Sequence, residues 1–213
     1  MSILLGIFEQ GLIYGIMALG VYITYKILDF PDLTVDGSFP LGAAVAAVLI
    51  KAGINPYLSL AAAFAAGLLA GICTGLIHVK LKVRDLISGI IMMTALYTIN
   101  LKIAGQANIP LFTSQTIFDN DLLNALVPAA LKPYITLIII LIISLIAKYV
   151  LDLYLKTRSG YLLRAVGDND TLVTCLAKDK GLVKIVGLAI SNGLVALGGA
   201  VYAHEEGYFD ISS

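Results

Sequence analysis

Apolar residues run through this chain in long blocks, and most of the blocks have the length of a membrane-spanning helix. Four stretches, residues 3–25, 57–79, 134–155 and 183–203, each hold about the 20 apolar residues a helix needs to cross the hydrocarbon core. A fifth, 86–104, is long enough but carries Ser88, Thr94, Thr98, Asn100 and Lys102. That polarity exceeds what lipid contact favours, so this segment is expected to face protein or an aqueous path. A sixth breaks the pattern. Residues 39–50 are apolar for only a dozen positions, too few to span alone, and they follow the polar run Asp29-Phe-Pro-Asp-Leu-Thr-Val-Asp-Gly-Ser38. Either this helix begins in a cytoplasmic loop, or the polar stretch is drawn into the membrane as a broken helix. The pattern predicts an all-α polytopic integral membrane protein of about six segments, the second short.

Composition agrees. Hydrophobic residues make up 59% of the 213 and charged residues 13%, with a mean hydropathy of +0.94; soluble domains average roughly 45–50% and about 25%. The length suits a single transmembrane domain over 1–213. A formal net charge of +0 gives no electrostatic case for a nucleic-acid partner. A cleaved secretory signal needs a positive start, and residues 1–25 contain no Lys or Arg, so the first apolar run is read as retained.

Charge placement supplies a direction. With the N-terminus outside, Lys26, the group Lys80, Lys82 and Arg84, and the group Lys156, Arg158, Arg164, Lys178, Lys180 and Lys184 lie inside. Those ten face only Lys51, Lys102 and Lys132 outside, which is the asymmetry the positive-inside rule requires if all six segments cross. Loop 105–133 is then external, with a short interfacial helix expected over 119–126, and loop 156–182 is cytoplasmic.

Three features carry candidate chemistry. Gly67, Gly71 and Gly75 lie four apart on one helical face, a small-residue stripe that lets two backbones approach closely. Asp29, Asp32, Thr34, Asp36 and Ser38 precede the short helix, with Asp36 or Ser38 as a candidate N-cap and Pro40 in the first turn. Started inside the membrane, that helix would aim unpaired N–H groups at a substrate carboxylate or hydroxyl; started outside, the same acids simply cap it. In the cytoplasmic loop, Asp168 or Asn169 can cap a helix whose Leu172, Val173 and Leu176 form an apolar stripe suited to a partner's groove. No GxxxxGK[ST], HExxH or GxSxG motif is present, and His78, His204, Cys73 and Cys175 form no ligand spacing. The sequence therefore assigns no catalytic residue, no metal and no cofactor. ATP-driven transport would need the nucleotide on another chain.

The segment Thr157-Arg-Ser-Gly-Tyr-Leu-Leu-Arg-Ala-Val-Gly-Asp-Asn169 and the run Asp32-Leu-Thr-Val-Asp-Gly-Ser38 resemble the cytoplasmic loop and the second-helix motif of permease subunits of ABC importers, of the branched-chain amino acid and ribose type. Residues 32–43, 99–111 and 164–202 are most similar to the subgroup working with tryptophan- or tyrosine-type binding proteins. The resemblance implies a bacterial inner-membrane importer for amino acids, working by alternating access. Its partners would be a second permease copy, a cytosolic ATPase dimer, which binds the ATP, and an extracytoplasmic solute-binding protein, within membrane lipid. It places Asp32, Thr34, Asp36 and Ser38 on the substrate pathway, to which the polar face of the fifth segment adds Thr94 and Asn100. Arg164, Gly167, Asp168, Asn169, Leu172, Val173 and Leu176 would form the ATPase-coupling helix. Where the family has a glycine closing that helix this chain has Ala177, and where the family continues for further helices this chain stops, so it reads as C-terminally truncated. Broken helices and intramembrane acids also suit an ion-coupled secondary transporter, the competing expectation.

Overall fold

The computed structural model describes residues 2–112, 115–118, 134–169 and 179–210. Helix α1 spans Ser2–Val21 and widens into a π-helical turn, Tyr22–Ile27. Then come α2 (Val35–Lys51), α3 (Pro56–Lys80), α4 (Asp85–Ala104), β1 (Asn108–Pro110), α5 (Ile135–Leu155), α6 (Arg158–Asp168), α7 (Lys180–Glu206) and β2 (Tyr208–Asp210). The helix ends follow local chemistry. Asn55 Oδ1 accepts from Tyr57 N at 3.0 Å with Pro56 at the first helical position, and Asp179 Oδ1 accepts from Gly181 N and Leu182 N at 2.8 and 3.3 Å. Gly105 and Gly207 close α4 and α7 at φ of 70°, the left-handed conformation that glycine adopts without penalty.

Among the described residues, five helices are long and apolar enough to cross a membrane, and they coincide with the five long apolar stretches of the sequence. Helix α2 is not among them. It starts earlier than its apolar run, yet its 17 residues reach only about 25 Å, against a hydrocarbon core of about 30 Å. Loop segment 119–126, expected as an interfacial helix, lies outside the described residues.

Helix α7 is the axis of the molecule: 72% of its apolar window is buried, against 17–33% for the other four. Small residues make that possible. Gly67, Gly71 and Gly75 of α3 face Gly193, Ala189 and Ile185 in descending order, so α3 runs antiparallel to α7 with the backbones almost touching. A Cβ on Gly71 would collide with the Leu188 carbonyl, and one on Gly42 of α2 with that of Ala196. Helix α1 also runs antiparallel to α7, with Gly20 beside Ser191 and Ile13 beside Gly198. Because α1 and α3 share a direction, α2 must carry the chain back between them. The antiparallel pairing of β1 with β2, Ile109 opposite Phe209, then holds the ends of α4 and α7 on one side.

The connector 28–34 is recessed among the helices, as a broken-helix reading of the polar run expects. Leu33 N lies 2.8 Å from where a Cβ on Gly89 would sit, four residues inside α4, and Thr34 bonds Thr74, six residues short of the end of α3. At 1.5 Å per residue the connector sits roughly 6–9 Å inside the helix ends. Phe30 anchors it, buried and edge-on to the His78 ring at 5.0 Å.

Candidate functional site

Helix α2 separates the six residues expected on a pathway into two groups, because at about 100° per residue Asp36 and Ser38 point to opposite sides. On the α7 side Asp32, Thr34 and Ser38 are buried and bonded. Asp32 Oδ1 accepts from Thr34 N at 2.9 Å, and its Oδ2 accepts from Asn192 Nδ2 at 2.8 Å. Asn192 Oδ1 in turn accepts from Ser38 Oγ at 2.6 Å, and its Nδ2 also donates to the Leu188 carbonyl at 3.0 Å. Thr74 has one hydroxyl proton and gives it to the Ala70 carbonyl at 3.1 Å, so in the 3.0 Å contact between Thr34 and Thr74 it is Thr34 that donates.

This network ties α2, α3 and α7 together. Its members are satisfied by one another, which is how buried polar groups are tolerated. The start of α2 is therefore closed to an anion. The amides of Asp36, Gly37 and Ser38 donate to the carbonyls of Leu33, Thr34 and Thr34, and the helix begins after Thr34 rather than at Asp36 or Ser38.

The other side of α2 is open. There Asp36, Pro40, Met93, Thr94, Tyr97 and Asn100 line a cavity of about 440 Å³ between α2 and α4, within the range of small-molecule sites. From Val35 to Ala44, Asp36 is the one exposed residue of α2. Asn100 is 1% exposed; its Nδ2 donates to the Gly37 carbonyl at 3.0 Å, and its Oδ1 accepts from no group. Thr94 gives its proton to the Ile90 carbonyl at 2.6 Å, which leaves its oxygen as an acceptor.

At the end of the bundle where the connector begins, Thr157 Oγ1 caps α6 by accepting from Gly160 N at 3.3 Å. Leu163 and Val166 are buried in one cluster with Ile27, Leu28, Leu155 and Leu188, and Gly167 lies against the Ile27 carbonyl. Arg164 and Asp168 stay exposed. Asn169 ends the helix in extended backbone, φ −155° and ψ 95°. Leu172, Val173 and Leu176 lie outside the described residues.

Residues 3–213 match the family described as "Branched-chain amino acid transport system / permease component". The chain belongs to that family. It is a permease component of an amino acid transport system, a multi-pass membrane protein and one part of a multi-component assembly. The permease is 43% identical over 212 residues to a protein of Clostridioides difficile (strain R20291) named tyrosine transport system permease protein, covering 100% of this chain and 68% of the relative. It is 38% identical over 213 residues to an uncharacterized protein of Rickettsia prowazekii (strain Madrid E), covering 100% of this chain and 71% of that one. No solved structure matches it.

Sequence reasoning did not single out several residues that matter in the permease. Asn192 and Thr74 complete the α2 network; Thr74 and the pair Ser191-Asn192 each interrupt an apolar stretch with no recognisable motif around them. His204, which the sequence showed only as lacking a ligand set, is buried near the C-terminal end of α7. Ile117 N–H donates to its Nδ1 at 3.4 Å, so Nε2 carries the proton and donates to Ser59 Oγ at 3.0 Å, whose own proton goes to the Pro56 carbonyl at 2.7 Å. That chain fastens the segment at 117 to α3 and α7.

Proposed function

We propose that this permease is the membrane-spanning subunit of an ATP-driven importer of amino acids in a bacterial plasma membrane, with aromatic amino acids such as tyrosine among its substrates. It works with a second copy of itself, a cytosolic ATPase dimer and an extracytoplasmic binding protein, and the ATPase partner alone hydrolyses ATP. The observation that carries this reading is the family match over residues 3–213, which the 43% identity to a tyrosine permease narrows.

In this reading the substrate moves along the α2–α4 side, past Asp36, Thr94 and Asn100, and alternating access opens that side first outward and then inward. Asp32, Thr34 and Ser38 hold α2 to α3 and α7 so that the wall of the path moves as one body. The segment from Arg164 through Gly167, Asp168, Asn169, Leu172, Val173 and Leu176 couples to the ATPase. Support for it comes from α6, which seats its apolar stripe on the inner ends of the bundle and leaves Arg164 and Asp168 exposed.

The test is uptake into proteoliposomes holding the permease, its ATPase and its binding protein. Uptake of labelled tyrosine that requires ATP and persists when sodium and proton gradients are dissipated is expected. Uptake that follows an ion gradient with no ATP present would instead make the protein a secondary transporter.

A further inference from the structure

Acceptors, without a matching cation, dominate the polar lining of the α2–α4 cavity. Asp36 contributes a carboxylate on the exposed side of α2. Pro40, one turn further on, has no amide proton, so the Asp36 backbone carbonyl lacks the i+4 donor that any other residue at position 40 would supply. Asn100 brings a buried Oδ1 that accepts no bond, and Thr94 brings a hydroxyl oxygen whose proton is committed elsewhere. Among the described residues that line the cavity there is no Lys, Arg or His. The rest of the lining is Gly37, the Thr98 hydroxyl, which can donate or accept, and the apolar or aromatic Met93, Tyr97 and Pro40 ring.

A buried carbonyl oxygen left without a donor costs free energy, and a helical bundle keeps such a group where a ligand supplies the missing proton. A primary ammonium carries three donors and one positive charge, which answers a carboxylate and neighbouring neutral acceptors together. A carboxylate ligand would meet repulsion from Asp36 and find no cation, and the amides at the start of α2 already donate within the connector and the first turn.

We infer that this cavity is an ammonium subsite: it holds the amine end of a passing amino acid against Asp36 and Asn100, with an apolar or aromatic side chain laid on Tyr97, Met93 and Pro40. The inference rests on the proposed transport function and adds the chemistry the path itself recognises. The permease then contributes selectivity of its own for protonated amines.

Equilibrium binding of labelled phenethylamine to the intact transporter in nanodiscs, without the binding protein, tests it. This probe keeps the ammonium and the ring and lacks the carboxylate. Saturable binding is expected, competed by phenylalanine but not by phenylpropionate, which keeps the ring and the carboxylate and lacks the amine. Asp36→Asn is expected to weaken it by about tenfold or more, the usual scale for a charge-assisted bond, while Asp36→Glu retains most of it. Asn100→Leu, which removes the unpaired oxygen, weakens it as well; because that residue is buried, its result counts only at an unchanged thermal midpoint, and the exposed Asp36 variants decide the matter alone. Absence of saturable binding, equal competition by phenylpropionate, or unchanged affinity in Asp36→Asn would overturn the inference. ATP-driven uptake is read in the same preparation: uptake without phenethylamine binding overturns the subsite and leaves the transport function standing, whereas phenethylamine binding without uptake upholds the subsite and overturns that function.

Discussion

Asn192 holds Asp32 with its amide nitrogen and Ser38 with its amide oxygen, so one side chain on α7 fixes both the connector and the first turn of α2. Replacing it by the nearly isosteric leucine leaves the Asp32 oxygen and the Ser38 hydroxyl buried with no partner on that side. Asn192→Leu is therefore expected to lower stability by about 1–3 kcal/mol, seen as a lower thermal midpoint of the purified permease. An unchanged midpoint would mean that the network contributes no stability. Composition announces the polar run 32–38 but not this partner, because the pair Ser191-Asn192 in an otherwise apolar span has no period and no motif to mark it. Nor does the run show which of its acids faces the cavity and which is held in the buried network. That distinction comes from helical rotation: Asp36 and Ser38, two positions apart, face roughly opposite ways.

Elements were legible where apolar length decides them. The five long stretches became five helices with ends displaced by a few residues, since about 20 apolar residues have few alternatives in a bilayer. Helix α2 was legible only in part. Its apolar run understated it because Asp36, Gly37 and Ser38 are helical yet polar or small, and tertiary bonds to α4 and α7 hold them. Helix α6 was not expected as an element of its own: its Leu163 and Val166 are three apart and give a stripe of a single turn, too short to stand out. The Gly67–Gly71–Gly75 stripe shows what a regular pattern does reveal, since all three glycines lie against α7. Gly71→Val would force the α3 and α7 backbones apart and is expected to cost about 1–3 kcal/mol, again read from the thermal midpoint. On the cytoplasmic side, Val173→Asp is expected to abolish substrate-stimulated ATP hydrolysis by the assembled transporter while the permease still inserts and purifies, because an unpaired charge is costly in a docking groove. Unchanged coupling would remove that segment from the mechanism.

Across the whole molecule, charge asymmetry and chain direction agree. With the N-terminus outside, α2, α4 and α7 all run outward, as the register of α3 and α1 against α7 and the pairing of β1 with β2 require. The placement of the cavity was beyond the sequence, because it depends on which side of a central, small-residue helix is filled and which is left open. Here α3 and α7 fill one side of α2, and the cavity opens on the other, towards α4. Thiol labelling during turnover tests that division most directly. In a background carrying Cys73→Ser and Cys175→Ser, the Thr94→Cys and Ser38→Cys variants are treated with a membrane-impermeant methanethiosulfonate reagent while ATP-driven amino acid uptake is followed. The account predicts that reagent stops uptake by the Thr94→Cys permease, that excess substrate slows this loss, and that the Ser38→Cys permease is spared because position 38 is sealed against α7. Undiminished uptake by a fully labelled Thr94→Cys permease, or rapid inactivation at position 38, would contradict it.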